Sequence, residues 1–209
     1  MKLKHLEEIL EQVDDFIDPK SRLEQYKTRP HLAACMLFAA ATEYDDITDK
    51  VVADIGAGTG CLSIGCAFLE SQKVYSIETD PDAIEIFKKN IEEFDIEDGV
   101  IEIKEQKISS DTSISDLLPP PLTKVDTVVM NPPFGTKVPG IDVLFLKAAL
   151  FISDTVYSIH KSSTREGLIN KIKAMFPEKI LNVKVIAEMN YDLKGDYRNS
   201  QSLNSDLDF

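Results

Sequence analysis

The residues best suited to chemistry stand together in Met130-Asn131-Pro132-Pro133-Phe134-Gly135, directly after an apolar run. Two consecutive prolines fix φ and carry no N–H. The turn can therefore offer the Asn131 side-chain oxygen and the Pro132 carbonyl as two acceptors on one side. The amine of a nucleobase, like a carboxamide, delocalises its lone pair and is a poor nucleophile. Two acceptors gripping its hydrogens favour a pyramidal, more nucleophilic nitrogen, and Phe134 can stack on the attached ring. Asn131, Pro132, Pro133 and Phe134 are the candidate catalytic residues, and no metal or covalent intermediate is required of them.

A second feature lies upstream, in Asp54-Ile55-Gly56-Ala57-Gly58-Thr59-Gly60. A glycine-rich turn between a strand and a helix lets the backbone approach a ligand closely. About 20 residues further on, at the end of the next strand, Glu78 is placed to accept hydrogen bonds from both hydroxyls of a ribose. Cys61 occupies the position where a dinucleotide fingerprint carries its last glycine, so the pattern favours a single nucleoside. With the asparagine-proline turn, the sum is methyl transfer from S-adenosylmethionine to a planar nitrogen. Taken alone, either motif can be an ordinary tight turn; their combination is what carries the reading.

These residues need a scaffold, and the apolar periodicity supplies one. Leu3, Leu6, Ile9, Leu10, Val13, Phe16 and Ile17 recur at helical spacing, predicting a first helix that Pro19 closes; Pro30 opens a second, apolar helix running toward Tyr44. Alternation then begins: strand 51–55, helix 62–69, strand 74–78, a helix after Pro81, strand 100–103, strand 125–130, helix 141–152 and strand 155–160. Helix 162–176, a strand over 183–191 and a terminal strand over 203–209 follow. The expected fold is α/β, a Rossmann-like methyltransferase fold with a mostly parallel seven-stranded sheet. We expect one domain over 1–209, made of a helical cap (1–48) and a core (49–209), in which 109–124, with Pro119-Pro120-Pro121, is the one loop-rich stretch.

Composition narrows the setting. At 209 residues with 43% apolar and 28% charged content, the chain suits an ordinary globular domain and not a disordered one. Its longest apolar stretch, 32–41, falls short of the roughly 20 residues that span a bilayer. The start Met1-Lys2-Leu3-Lys4, followed by Glu7, Glu8 and Glu11, lacks a secretory pattern, so we expect an intracellular protein. Cys35, Cys61 and Cys66 form no Cys-x-x-Cys pair and read as buried thiols; His5 and His31 read as structural. A net charge of −13 opposes broad attachment to nucleic acid, so any RNA must be met by a local patch or a partner.

The chain resembles the methyltransferase-like protein 5 family, which methylates N6 of adenine in small-subunit (18S) ribosomal RNA, over nearly its whole length. The resemblance rests on Glu24-Gln25-Tyr26 with Thr28-Arg29-Pro30, Lys50-Val51-Val52-Ala53-Asp54, 130–137 ending in Thr136-Lys137, and His160-Lys161-Ser162-Ser163-Thr164-Arg165-Glu166. It implies that Gln25 and Thr28 close over S-adenosylmethionine, that Gly56, Gly58, Thr59, Leu62, Ile108 and Asn131 line it, and that Glu78 holds its ribose. Asn131 to Phe134 would hold the target adenine. It further implies a heterodimer with the small zinc-binding methyltransferase activator subunit, and a location in nucleus and cytoplasm. The sheet edge at Val100, Ile101 and Ile103 is the expected docking strand, since its backbone groups lack a second neighbour.

Two departures from the family stand out. Lys107 occupies the place of an acidic residue near the cofactor adenine, so that Ser109, Ser110 or Asp111 substitutes or affinity falls. The chain also ends at Asp206-Leu207-Asp208-Phe209 without a basic final strand. Lys137, Lys161 and Arg165, with His160, are the candidate RNA contacts, against a reading of the latter three as a solvated helix start. Two other functions fit the motifs: methylation of a protein glutamine amide, and RNA binding without catalysis in ribosome assembly. Parallel methylation assays on both acceptors separate the first, and calorimetric cofactor binding the second.

Overall fold

The computed structural model describes residues 1–178, 182–193 and 203–208. The chain forms two compact units, Met1–Tyr157 and Ser158–Phe209. The first opens with helices α1 (Leu3–Glu11) and α2 (Pro30–Thr42) and continues through β1 (Val51–Ile55), α3 (Cys61–Phe68), β2 (Lys73–Glu78), α4 (Pro81–Glu93), β3 (Ile101–Glu105), β4 (Thr127–Met130), α5 (Ile141–Ile152) and all but the last residue of β5 (Thr155–Ser158). The second contains β6 (His160–Lys161), α6 (Arg165–Met175), β7 (Glu188–Leu193) and β8 (Leu203–Asp208).

The main sheet has the order β3-β2-β1-β4-β5, and its β3-β2-β1-β4 pairings are parallel. Reversal of strand order between β1 and β4 is the switch point at which such sheets bind ligands, outside the carboxyl ends of the strands. The register aligns those ends: Ile55 pairs with Ile77, Asp54 with Val129 and Glu78 with Glu105. Ala53, Ile55, Ile77, Val128 and Met130 bury against Phe145, Ala148, Ala149 and Ile152 of α5 and against Leu117 and Leu118. α3 and α4 also pack on the strands, and α1 and α2 pack on α3. A β-carbon at Gly65 would stand 2.4 Å from Leu37 Cδ1, so any side chain there would force Leu37 to shift where α2 approaches α3.

Four expectations change. Among the described residues, the seven-stranded sheet is instead one of five strands and one of three, the latter ordered β6-β8-β7 and antiparallel throughout. The run expected as one strand over 155–160 divides at Ile159: β5 ends at Ser158, while His160 and Lys161 pair with Asp208 and Leu207. Apolar alternation marks a chain as extended but does not say which sheet receives it. Likewise strand 183–191 begins only at Glu188, where the ladder pairs Glu188 with Asp208; Phe209 lies outside the described residues. The first helix ends at Glu11 and does not reach Pro19. Asn90 of α4 is responsible: its Oδ1 accepts from the Asp14 N–H at 3.0 Å and its Nδ2 donates to the Asp14 carbonyl at 3.3 Å, drawing the chain away from the helix. Residues 12–29 become a strap.

Candidate functional site

A cavity of about 800 Å³ opens at the carboxyl ends of β3, β2, β1 and β4 and under the strap. Its floor is the glycine turn. The Gly56 and Ala57 amides donate to the Ile77 carbonyl at 2.8 and 3.0 Å, which ties the turn to β2. Gly60 holds φ +94° at the start of α3, and a β-carbon there would lie 2.1 Å from the Phe87 ring. Glycine is therefore required by conformation and by space.

Glu78 is buried at the end of β2. Its Oε2 accepts from the Gly58 amide at 2.8 Å, and its Oε1 from the Thr79 and Asp80 amides at 2.8 and 2.9 Å. The carboxylate is thus fixed before any ligand arrives. Beneath it, Asp54 Oδ2 accepts from Ser63 Oγ at 2.6 Å, while Oδ1 is buried with no hydrogen-bond partner among the described residues. Burial pushes the Asp54 carboxyl up to about 7; the Ser63 bond opposes this and the Glu78 charge adds to it.

The strap forms the roof. Gln25 Nε2 donates to Asp80 Oδ2 at 2.6 Å, its Oε1 accepts from the Lys20 amide at 2.6 Å, and Lys20 Nζ pairs with Asp80 and Asp82. Burial works against the Asp80 charge, but the bonds from Lys20 and Gln25 outweigh it and hold this carboxyl below its ordinary value. Phe16 covers the turn so closely that a β-carbon at Gly58 would lie 2.9 Å from its Cζ.

Asn131 Nδ2 donates to Thr28 Oγ1 at 2.9 Å, while Asn131 Oδ1 is buried and has no partner among the described residues. An acceptor left in that state costs about 1–3 kcal/mol, so a donor belongs there. Glu24, also buried, accepts through Oε2 from the Phe134 amide at 3.0 Å and through Oε1 from the Lys137 amide at 2.8 Å. Glu24 takes φ +52°, a left-handed conformation that costs a residue with a β-carbon roughly 1–2 kcal/mol.

Of the expected residues, Gln25, Thr28, Gly56, Gly58, Thr59, Glu78, Ile108, Asn131 and Pro133 line this one cavity. Leu62, Pro132 and Phe134 are not in its lining; Leu62 is buried in α3, and Pro132 is buried beside a half-buried Phe134. Lys107, Ser109 and Ser110 line it, whereas Asp111 does not. Lys137 is exposed. Lys161 and Arg165 belong to the second unit, where Arg165 Nη2 lies 2.8 Å from Glu188 Oε2. Phe16, Lys20 and Glu24 also line the cavity, although neither motif nor spacing marks them as site residues. A helical period had absorbed the phenylalanine, and a carboxylate facing backbone amides leaves no trace in spacing.

The comparisons agree with this architecture. A family model described as ribosomal protein L11 methyltransferase (PrmA) matches residues 30–131. The chain is 42% identical to "rRNA N(6)-adenosine-methyltransferase METTL5" of Danio rerio, over all of this chain and 97% of the relative. It is 38% identical to "rRNA N(6)-adenosine-methyltransferase Mettl5" of Drosophila melanogaster, over all of this chain and 93% of that one. The crystal structure of a candidate RNA methyltransferase from Pyrococcus horikoshii superposes with a TM-score of 0.79 at 31% identity, covering all of this chain and 95% of the other. With full-length identity of this order and the same sheet, the chain belongs to the METTL5 family of rRNA N(6)-adenosine-methyltransferases.

Proposed function

We propose that this protein transfers a methyl group from S-adenosylmethionine to N6 of an adenine in small-subunit ribosomal RNA. The observation that carries the reading is the buried, unpartnered Oδ1 of Asn131 at the carboxyl end of β4. Thr28 holds the amide nitrogen of the same side chain, so the oxygen is oriented as an acceptor. A nucleobase amine supplies the missing donor, and accepting its hydrogen raises the nucleophilicity of the nitrogen. Lining the cavity from above, Pro133 narrows the approach.

The cavity volume and the glycine floor fit the cofactor, whose sulfonium supplies the electrophilic methyl group when bound. Glu78 would hold its ribose, Gly56, Gly58 and Thr59 its amino-acid side, and Ile108 its base, while Gln25 and Phe16 exclude water from above. Lys137 in the first unit, and Lys161 and Arg165 in the second, are proposed phosphate contacts, since a chain of charge −13 needs basic groups where it meets RNA. At the sheet edge, β3 pairs among the described residues with β2 alone, and its half-buried Ile101 and Ile103 suit strand addition by a small zinc-binding activator subunit. The proposed setting is nucleus and cytoplasm.

Nucleoside mass spectrometry after incubating small-subunit ribosomal RNA with protein and S-adenosylmethionine tests the assignment. Wild type is expected to form N6-methyladenosine, and Asn131→Ala to form none while keeping cofactor affinity within about threefold. Transfer to a release-factor glutamine in place of RNA, or full turnover by Asn131→Ala, refutes it.

A further inference from the structure

We infer that Glu24 is a positioning residue that sets the geometry of the 131–137 turn from the strap above the cofactor cavity. This rests on the methyl-transfer reading above. Both carboxylate oxygens of Glu24 are spent on that turn, one on the Phe134 amide at 3.0 Å and the other on the Lys137 amide at 2.8 Å. The two donors bracket Gly135, which holds φ +76°, so the carboxylate closes the turn as a staple closes a loop. Glu24 is 6% exposed, and a buried carboxylate held by amides is oriented far more firmly than a solvated one.

The next residue along the strap, Gln25, bonds Asp80 beside Glu78, and Thr28 bonds Asn131 itself. One short segment therefore touches the ribose end and the target end of the same cavity. Its left-handed Glu24 is the point at which the chain turns between them. The consequence is coupling: order in the strap, which a cofactor would reinforce, is transmitted to the turn through two hydrogen bonds. Glu24 touches no reacting atom, so its effect falls on the rate of transfer more than on cofactor affinity. A misplacement of about 1 Å in a near-attack geometry costs on the order of 10²-fold in rate.

The test uses the full chain carrying Glu24→Gln and Glu24→Ala. The glutamine keeps one acceptor but turns an NH₂ group toward the second amide. Active sites are counted by cofactor-binding stoichiometry, so a variant that misfolds in part does not distort the rate per site. We expect kcat per site to fall by 10-fold or more in both variants, with cofactor Kd within about threefold. Amide hydrogen exchange is expected to accelerate at Phe134 and Lys137 and to stay at wild-type rates in α1, α2 and β1. Wild-type kcat per site in Glu24→Gln overturns the inference, as does exchange that accelerates throughout the cap, which marks a merely structural role. A wild-type protein that binds cofactor but forms no N6-methyladenosine refutes the substrate assignment instead; the exchange pattern in the same samples still decides the clamp.

Discussion

Replacing Glu78 by glutamine separates what the carboxylate does for the fold from what it does for the ligand. A carboxylate offers about four lone-pair sites. Three are occupied by the amides of Gly58, Thr79 and Asp80, and the free one lies on Oε2, which has a single donor. One ribose hydroxyl can therefore be bound at full strength, and a second only by sharing. A hydrogen bond to a charged group is worth about 1.5–3 kcal/mol, so losing it weakens cofactor binding by about 10- to 150-fold. In Glu78→Gln the amide oxygen is expected to face Thr79 and Asp80, where two donors converge, leaving the Gly58 N–H against the NH₂ group. One unpaired amide costs about 1 kcal/mol, or roughly 2–4 °C in Tm for a chain of this size. Calorimetric titration with S-adenosylmethionine, paired with thermal unfolding, reads both quantities. A Kd within twofold of wild type refutes the ribose assignment, whatever happens to Tm.

Three further outcomes are expected. Because Asp54 is raised to about 7 from an ordinary 3.8, the unfolded chain releases its proton first. Stability should therefore fall as pH rises from about 4 to 7, by up to roughly 4 kcal/mol from this group, and level off above; urea denaturation of Asp54→Asn should lose that slope. Lys107→Asp, which places an acid in the cavity wall beside Ile108, should tighten cofactor binding several-fold by calorimetry, and weaker binding would reassign that wall. Ile101→Lys with Ile103→Lys should abolish co-purification with the proposed zinc-binding activator subunit, and a complex of unchanged yield would exclude β3 as the docking edge.

Much of the site was legible because its parts are local. The glycine turn, Glu78 and the asparagine-proline turn each sit at the end of a strand whose apolar run is unmistakable, and parallel alternation brings those ends together without further information. β1 and α5 fall on their expected residues, Val51–Ile55 and Ile141–Ile152. What failed depended on contacts distant in sequence. Phe16 and Ile17 continue a perfect helical period, yet Asn90, 76 residues from Asp14, takes the backbone that the helix needed. The same limit hid the second sheet: β8 lies between β6 and β7 and pairs antiparallel with both, which no alternation in 155–160 or 183–191 announces.

The strap explains why a sheet shared by many methyltransferases can be made selective by so short a segment. The topology alone brings Gly58, Glu78 and Asn131 to one edge, but it leaves that edge open to water. Ending α1 at Glu11 frees the chain to return across the opening, and the residues it lays down are matched one by one to what lies below: Phe16 to Gly58, Lys20 and Gln25 to Asp80, Glu24 to the 134–137 backbone, and Thr28 to Asn131. On the proposed assignment, Glu24 and Thr28 face the target side, and Lys20 and Gln25 the cofactor side. Selection for a bound cofactor and selection for an oriented acceptor amine thus bear on the same handful of strap residues. Substitutions of Glu24 are expected to fall on transfer and those of Lys20 and Gln25 on cofactor affinity, whereas substitutions at core positions away from the cavity, such as Ala148 or Ile152, change stability alone.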